Sequence, residues 1–351
     1  MRRFLLVFLS CLALLLFSVS CGGGWIVDDA LKTTITFDGN GATSGEMEAQ
    51  EVGKGIPTGL NANVFQRPDL PFRCWNTAAD GSGTQYTEGQ LVSLNSDITL
   101  YAQWGTTITE NTTSWTDGNR YVLDSNVTIS DQISVTGNVT LVLRDGCILT
   151  ASEGIGVNEG NSLTIEAEGA GTGELFATGA KWCAGIGGGY YSSVGTITIN
   201  GGIVNATGGE KAAGIGGGYL SIGNTGKITI NGGTVTAKGG LNGAGIGTGN
   251  STLLITLVIN DGTVTATGGE GGAGIGGGKG IEGIYVTING GTVVATGGSN
   301  SYFGMGIGKG FGGYSNGTLI LGQGVAMQVS DDNTNWSGYN GTTRTRYMKT
   351  K

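Results

Sequence analysis

The sequence predicts an all-β chain: a right-handed parallel β-helix of about seven turns, preceded by a small β module. From Thr196 onward one pattern recurs about every thirty residues, as "TITINGGIVNATGGEKAAGIGGG", "KITINGGTVTAKGGLNGAGIGTG", "LVINDGTVTATGGEGGAGIGGG" and "VTINGGTVVATGGSNSYFGMGIGKG". Self-similarity at a fixed period marks a solenoid. Within each repeat, apolar residues alternate with period two in three short segments bounded by Gly, and no ten-residue helical amphipathic stretch occurs between 105 and 351. Period two means strands. The third observation is compositional: 72 of 351 residues are Gly and only 3 are Pro, without a G-X-Y period, so collagen is excluded. With 38% hydrophobic residues arranged in short β-branched runs, the chain has enough apolar surface to fold.

The elements follow in order. Residues 1–20 hold two arginines and an apolar run from Phe4 to Val19, which reads as an export signal because the run is short for a membrane span. Cys21 directly after Ser20 resembles the bacterial lipoprotein lipobox, although Ser18 stands where that box has a large aliphatic residue. The resemblance implies acylation of Cys21, with membrane attachment through the lipid alone and an exported protein at the cell envelope. Residues 21–33, with Gly22 to Gly24, make a flexible tether.

Residues 34–104 form a unit of their own. "TITFDGNGA" opens it as a strand running into a turn, "DITLYAQW" closes it as another, and Trp75 between them offers a large core anchor. The combination Phe37-Asp38, Phe72-x-x-Trp75-Asn76-Thr77 and Leu100-Tyr101-Ala102-x-Trp104 resembles the Listeria–Bacteroides repeat, also known as the B repeat of internalins. Leu70-Pro71 and Cys74 depart from that family's pattern. The family implies a β-grasp-like spacer or adhesive module of bacterial surface proteins, without catalysis.

Residues 105–137 read as linker and N-terminal cap, 138–330 as the β-helix, and 331–351 as a C-terminal cap with Trp336 and Tyr339 over the last turn. Superposed repeats place Val204, Val235, Val264 and Val293 in one inward row, Ala206, Ala237, Ala266 and Ala295 in a second, and Ile186, Ile215, Ile246, Ile275 and Ile307 in a third. Asn200, Asn231, Asn260 and Asn289 recur at one corner, where stacked amides can satisfy one another. The Gly-rich span from about 118 to 330 is similar to β-helical domains of bacterial surface proteins, often carbohydrate-binding, within the pectin-lyase-like architecture.

Composition and motifs also bound the chemistry. A net charge of −8 with only 18 Lys and Arg leaves no footprint for nucleic acid. The absence of His removes Ser-His-Asp triads and His-containing zinc sites. Gly272, Gly274 and Gly277 match G-x-G-x-x-G, but no helix follows to receive a phosphate, so the glycines serve tight corners. No cofactor and no metal are expected. Cys74, Cys147 and Cys183 are odd in number and read as structural thiols.

A noncatalytic surface protein is therefore expected, a monomer that engages polysaccharide or the glycans or proteins of a host or neighbouring cell surface. Its candidate binding residues are Trp182, Tyr190, Tyr191, Tyr219, Tyr302, Phe311 and Tyr314, all near the "GIGGG" segments, where aromatic rings on a rigid scaffold suit sugar faces. The alternative is a polysaccharide lyase or hydrolase on the β-helix, for which Glu166 and Glu168 are the carboxylates sharing a strand face. Outward threonine rows such as Thr234, Thr263 and Thr292 could match an ice lattice, but Ile203, Asn205, Lys238 and Val294 break that face.

Overall fold

The computed structural model describes residues 31–68, 70–81, 83–221, 226–250, 255–298, 304–330, 332–339 and 346–351. Residues 1–20, read above as an export signal, and Cys21 lie outside the described residues. No α-helix occurs among those described, and none is long and apolar enough to cross a membrane.

The chain winds into coils with three faces, carrying sheets of 9, 10 and 8 strands. One coil shows the logic. Thr196–Ile199 lies on the first face, Ile203–Thr207 on the second and the two-residue strand Ile215–Gly216 on the third, before Gly226–Ile230 returns to the first. Each strand pairs in parallel with its equivalent one coil on, as Ile197↔Ile228, Val204↔Val235 and Ile215↔Ile246. Such crossovers between parallel strands are right-handed.

The registers superpose the predicted inward rows, and Val204, Val235, Val264 and Val293 are all fully buried. The alanine and isoleucine rows run beside them in the same core. Each aliphatic side chain taken fully out of water contributes about 1.5–3 kcal/mol. A single coil exposes both its edges, so that burial is realised only by stacking.

The solenoid is longer at its start than the repeats suggest. Parallel pairing begins at Thr106–Thr107, and Ser114–Trp115, Val127–Ile129 and Ile133–Val135 are strands of the same three sheets. Residues 105–137 are thus coils rather than linker, and the turns exceed the expected seven. These coils keep the alternation but use few double glycines, and fully buried Trp115, stacked on Tyr121 with ring centroids 5.3 Å apart, fills their interior.

The other end also differs from expectation. Thr318–Leu321 extends the first face in parallel, but Met327–Ser330 does not pair with the preceding coil. The C-terminal strand Tyr347–Thr350 is laid between Thr292–Thr296 and Met327–Ser330, antiparallel to both. Its Met348 is fully buried and closes the core. Tyr339 packs on the core edge, whereas Trp336 is only half-buried and holds Lys349 Nζ 4.0 Å above its ring.

The N-terminal module has a five-stranded sheet in the order 50–53, 32–38, 98–104, 72–76, 85–86, with first and last long strands parallel at its centre (Ile35↔Ile98). Trp75 is fully buried, its ring 4.8 Å from Phe37 and 5.0 Å from Phe72. The last strand, Ile98–Trp104, reaches the first solenoid strand across Gly105 alone. Arg73 of the module pairs with Asp124 of the solenoid, and Arg144 bonds Gln85, Asp124 at 3.0 Å and Glu168 at 3.2 Å. Gly81 (φ +83°) sits on this cluster, where any Cβ would overlap the Glu168 carboxylate. The two modules dock through a largely buried network of charges.

Candidate functional site

From Ile155–Gly156 onward the third strand of each coil has only two residues, so the turns before and after it fold towards one another. The backbone fixes this: Ala184 N–H donates to Gly188 O at 3.0 Å and Ala213 N–H to Gly217 O at 2.9 Å. Its Gly187, Gly216, Gly247, Gly276 and Gly308 have φ between 129° and 140°, conditions only glycine meets easily.

Two columns of turn residues result. The first contains Trp182, Lys211, Asn242 and Gly271, all left-handed at φ of 70°, 63°, 71° and 75°. The second contains Tyr190, Tyr219, Asn250, Lys279 and Phe311. A single backbone bond, repeated coil after coil, ties them: Tyr219 N–H donates to Trp182 O (2.9 Å), Asn250 to Lys211 O (2.8 Å), Lys279 to Asn242 O (2.8 Å) and Phe311 to Gly271 O (2.7 Å). The left-handed conformation aims each first-column carbonyl at the following coil. Glycine suits that conformation and a bulky side chain costs about 1–2 kcal/mol there.

At two adjacent coils the columns carry aromatic rings. Trp182 lies 4.8 Å from Tyr190 and 6.2 Å from Tyr219 between ring centroids, Tyr190 lies 5.8 Å from Tyr219 in a stacked arrangement, and Tyr191 lies 4.2 Å from Tyr190. Tyr190 is 38% and Tyr191 56% exposed. Lys181 Nζ stands 4.6 Å over the Trp182 ring and Lys211 Nζ 4.6 Å over Tyr219. The hydrogen bond with Tyr191 pushes the Tyr190 phenol above its usual pKa. Trp182 Nε1 is buried without a hydrogen-bond partner. Left-handed backbone extends to Tyr191 (φ 57°) and Leu220 (φ 52°), where later coils use Gly280 and Gly312.

The seven candidate aromatics therefore do not form one unbroken edge. Trp182, Tyr190, Tyr191 and Tyr219 cluster; Phe311 continues the second column only after Asn250 and Lys279 have intervened. Tyr314, 91% exposed, stands apart from the cluster. Tyr302 lies outside the described residues. Sequence reasoning missed Lys181 and Lys211, whose only signal was their position beside Trp182 and in its column.

Elsewhere the corner asparagines bond amide to amide, Asn231 to Asn200 at 2.8 Å, Asn260 to Asn231 at 2.7 Å and Asn289 to Asn260 at 2.8 Å. Glu166 accepts from Arg120 at 2.8 Å, while Glu168 faces Arg73 and Arg144 in the junction between the modules. Burial pushes the Glu168 carboxyl above its usual range against the pull of both arginines. Gly272 to Gly278 enclose the third strand Ile275–Gly276 and lead to Lys279, with no helix after them. Cys74, Cys147 and Cys183 are free. No group of three metal-ligating side chains occurs among the described residues.

Two family models match the chain. Residues 34–103 match the Listeria-Bacteroides repeat domain, and residues 197–219, 228–250, 257–279 and 286–308 each match a beta helix repeat. The first three of those segments end on Tyr219, Asn250 and Lys279, the second column. The chain thus joins a Listeria-Bacteroides repeat module to a β-helix, the architecture of a surface-type β-helix protein. No curated protein and no solved structure matches it.

Proposed function

We propose that the protein is a noncatalytic glycan binder of the cell surface, anchored through a lipid on Cys21, with its ligand seated on Trp182, Tyr190, Tyr191 and Tyr219. One observation carries this reading. Bulky Trp182 and Tyr191 occupy left-handed backbone at positions that Lys211, Asn242 and Leu220 share in the next coils and that later coils give to Gly271 and Gly280. Strain retained beside half-exposed rings is characteristic of sites kept for binding. Four clustered rings offer apolar area with tyrosine hydroxyls at its rim, which suits pyranose faces.

The two carboxylates of the alternative, lyase or hydrolase, reading are each paired with arginine, which suits a structural use of both. The N-terminal module serves to present the solenoid, held rigidly by its charge network. A glycan array with the purified chain tests the proposal: retention of at least one polysaccharide, lost in Trp182→Ala, supports it. Release of reducing sugar or unsaturated product, abolished by Glu166→Gln, would overturn it. Mass spectrometry of the N-terminal peptide tests acylation at Cys21.

A further inference from the structure

The aromatic cluster occupies only two coils, yet the backbone ladder that builds it continues through three more. Along the second column Tyr190 and Tyr219 are followed by Asn250, Lys279 and Phe311, one residue per coil, all at least partly exposed. Parallel strands repeat at about 4.8 Å, close to the advance of one ring in an extended pyranose chain. Each step along the column therefore offers one new side chain per sugar.

The composition of the steps is that of a binding track. Rings come first, then a carboxamide able to donate and accept, then an ammonium, then a ring again. Lys279 makes no ion pair among the described residues, and its stem lies flat over Gly271, where a Cβ would come within 3.1 Å of it. Gly271 replaces Trp182, Lys211 and Asn242 in its own column, and by leaving that space open it lets the lysine lie along the track.

We infer that the ligand is an internal stretch of a linear polysaccharide lying parallel to the solenoid axis, with successive residues meeting Tyr190, Tyr219, Asn250, Lys279 and Phe311. This rests on the glycan reading above and adds the shape and direction of the ligand. A chain-end or single-sugar ligand would use the aromatic coils alone.

The experiment is calorimetric titration of the full chain with linear cello-, manno-, xylo- and galacturono-oligosaccharides from disaccharide to heptasaccharide. In the series that binds, affinity is expected to rise about tenfold or more from disaccharide to pentasaccharide and then level off, since the track ends at Phe311. Lys279→Ala lowers pentasaccharide affinity about three- to tenfold while leaving the disaccharide unchanged, and Trp182→Ala weakens every length. Affinity independent of length, or a Lys279→Ala loss equal for all lengths, overturns the axial track while the glycan reading stands. Absence of binding at every length in all four series overturns both.

Discussion

Replacing Trp182 by glycine separates a binding ring from a structural plug. The substitution relieves left-handed strain at φ +70°, about 1–2 kcal/mol for a bulky residue. It removes ring contacts with Tyr190 at 4.8 Å and Tyr219 at 6.2 Å, about 0.5–1.5 kcal/mol for such a pair. It also removes the contact under Lys181, about 0.5–1 kcal/mol at an exposed site. The backbone bond from Tyr219 to the residue-182 carbonyl is kept, and Gly271 occupies the equivalent place in a later coil. Losses of about 1.5–4 kcal/mol outweigh the gain of about 1–2 kcal/mol, so a net destabilisation of about 1–2 kcal/mol is expected. Trp115→Ala, which empties a fully buried site in the first coils, should cost about 3–5 kcal/mol. Denaturant titration followed by circular dichroism compares the two, beside glycan affinity, which Trp182→Gly should lower at least about tenfold. If Trp182→Gly shifts the midpoint as far as Trp115→Ala does, the ring is a packing element and the reasoning fails.

The remaining expectations concern the scaffold. Gly247→Ala places a methyl over the Gly276 carbonyl at φ +136° and should destabilise by about 3 kcal/mol or more, seen as a lowered denaturation midpoint. Asn231→Ala breaks two amide bonds on an exposed ladder and should cost only about 1 kcal/mol, because water replaces the lost partners; a loss several times larger would show the ladder to be a keystone. With its pKa raised by burial, Glu168 favours the folded state most when protonated. That contribution is full below the ordinary carboxylate value, about 4.3, and is lost as pH rises through the raised one. Glu168→Gln should therefore flatten the pH dependence of stability above about pH 4, and an unchanged profile would refute the assignment. Cys74, buried and pushed up to about 11, should resist alkylation in the folded protein at neutral pH while half-buried Cys183 reacts, as peptide mapping would report.

Much of the architecture was legible because stacking is a periodic constraint that a periodic sequence records directly. The rows of Val204, Val235, Val264 and Val293, the corner asparagines and the glycine-bounded strands each recur at a fixed spacing, and Trp75 announced the separate module within 34–104. The first coils escaped because they satisfy the same burial with irregular residues such as Trp115. The C-terminal strand escaped because its antiparallel insertion is a long-range pairing with no repeat to predict it.

The sequence by itself determined the coil, its inward rows and the place of the aromatic residues beside the third strand, since these depend on alternation and spacing within one repeat. Tertiary structure alone decided which aromatics meet. Trp182 reaches Tyr219 because the two-residue third strand brings its flanking turns together and the next coil adds its own, a distance set by stacking and turn closure. The junction network of Arg73, Asp124, Arg144 and Glu168 is of the same kind: its members lie far apart in sequence, carry no periodic signal, and are paired only because burying one charge requires another beside it.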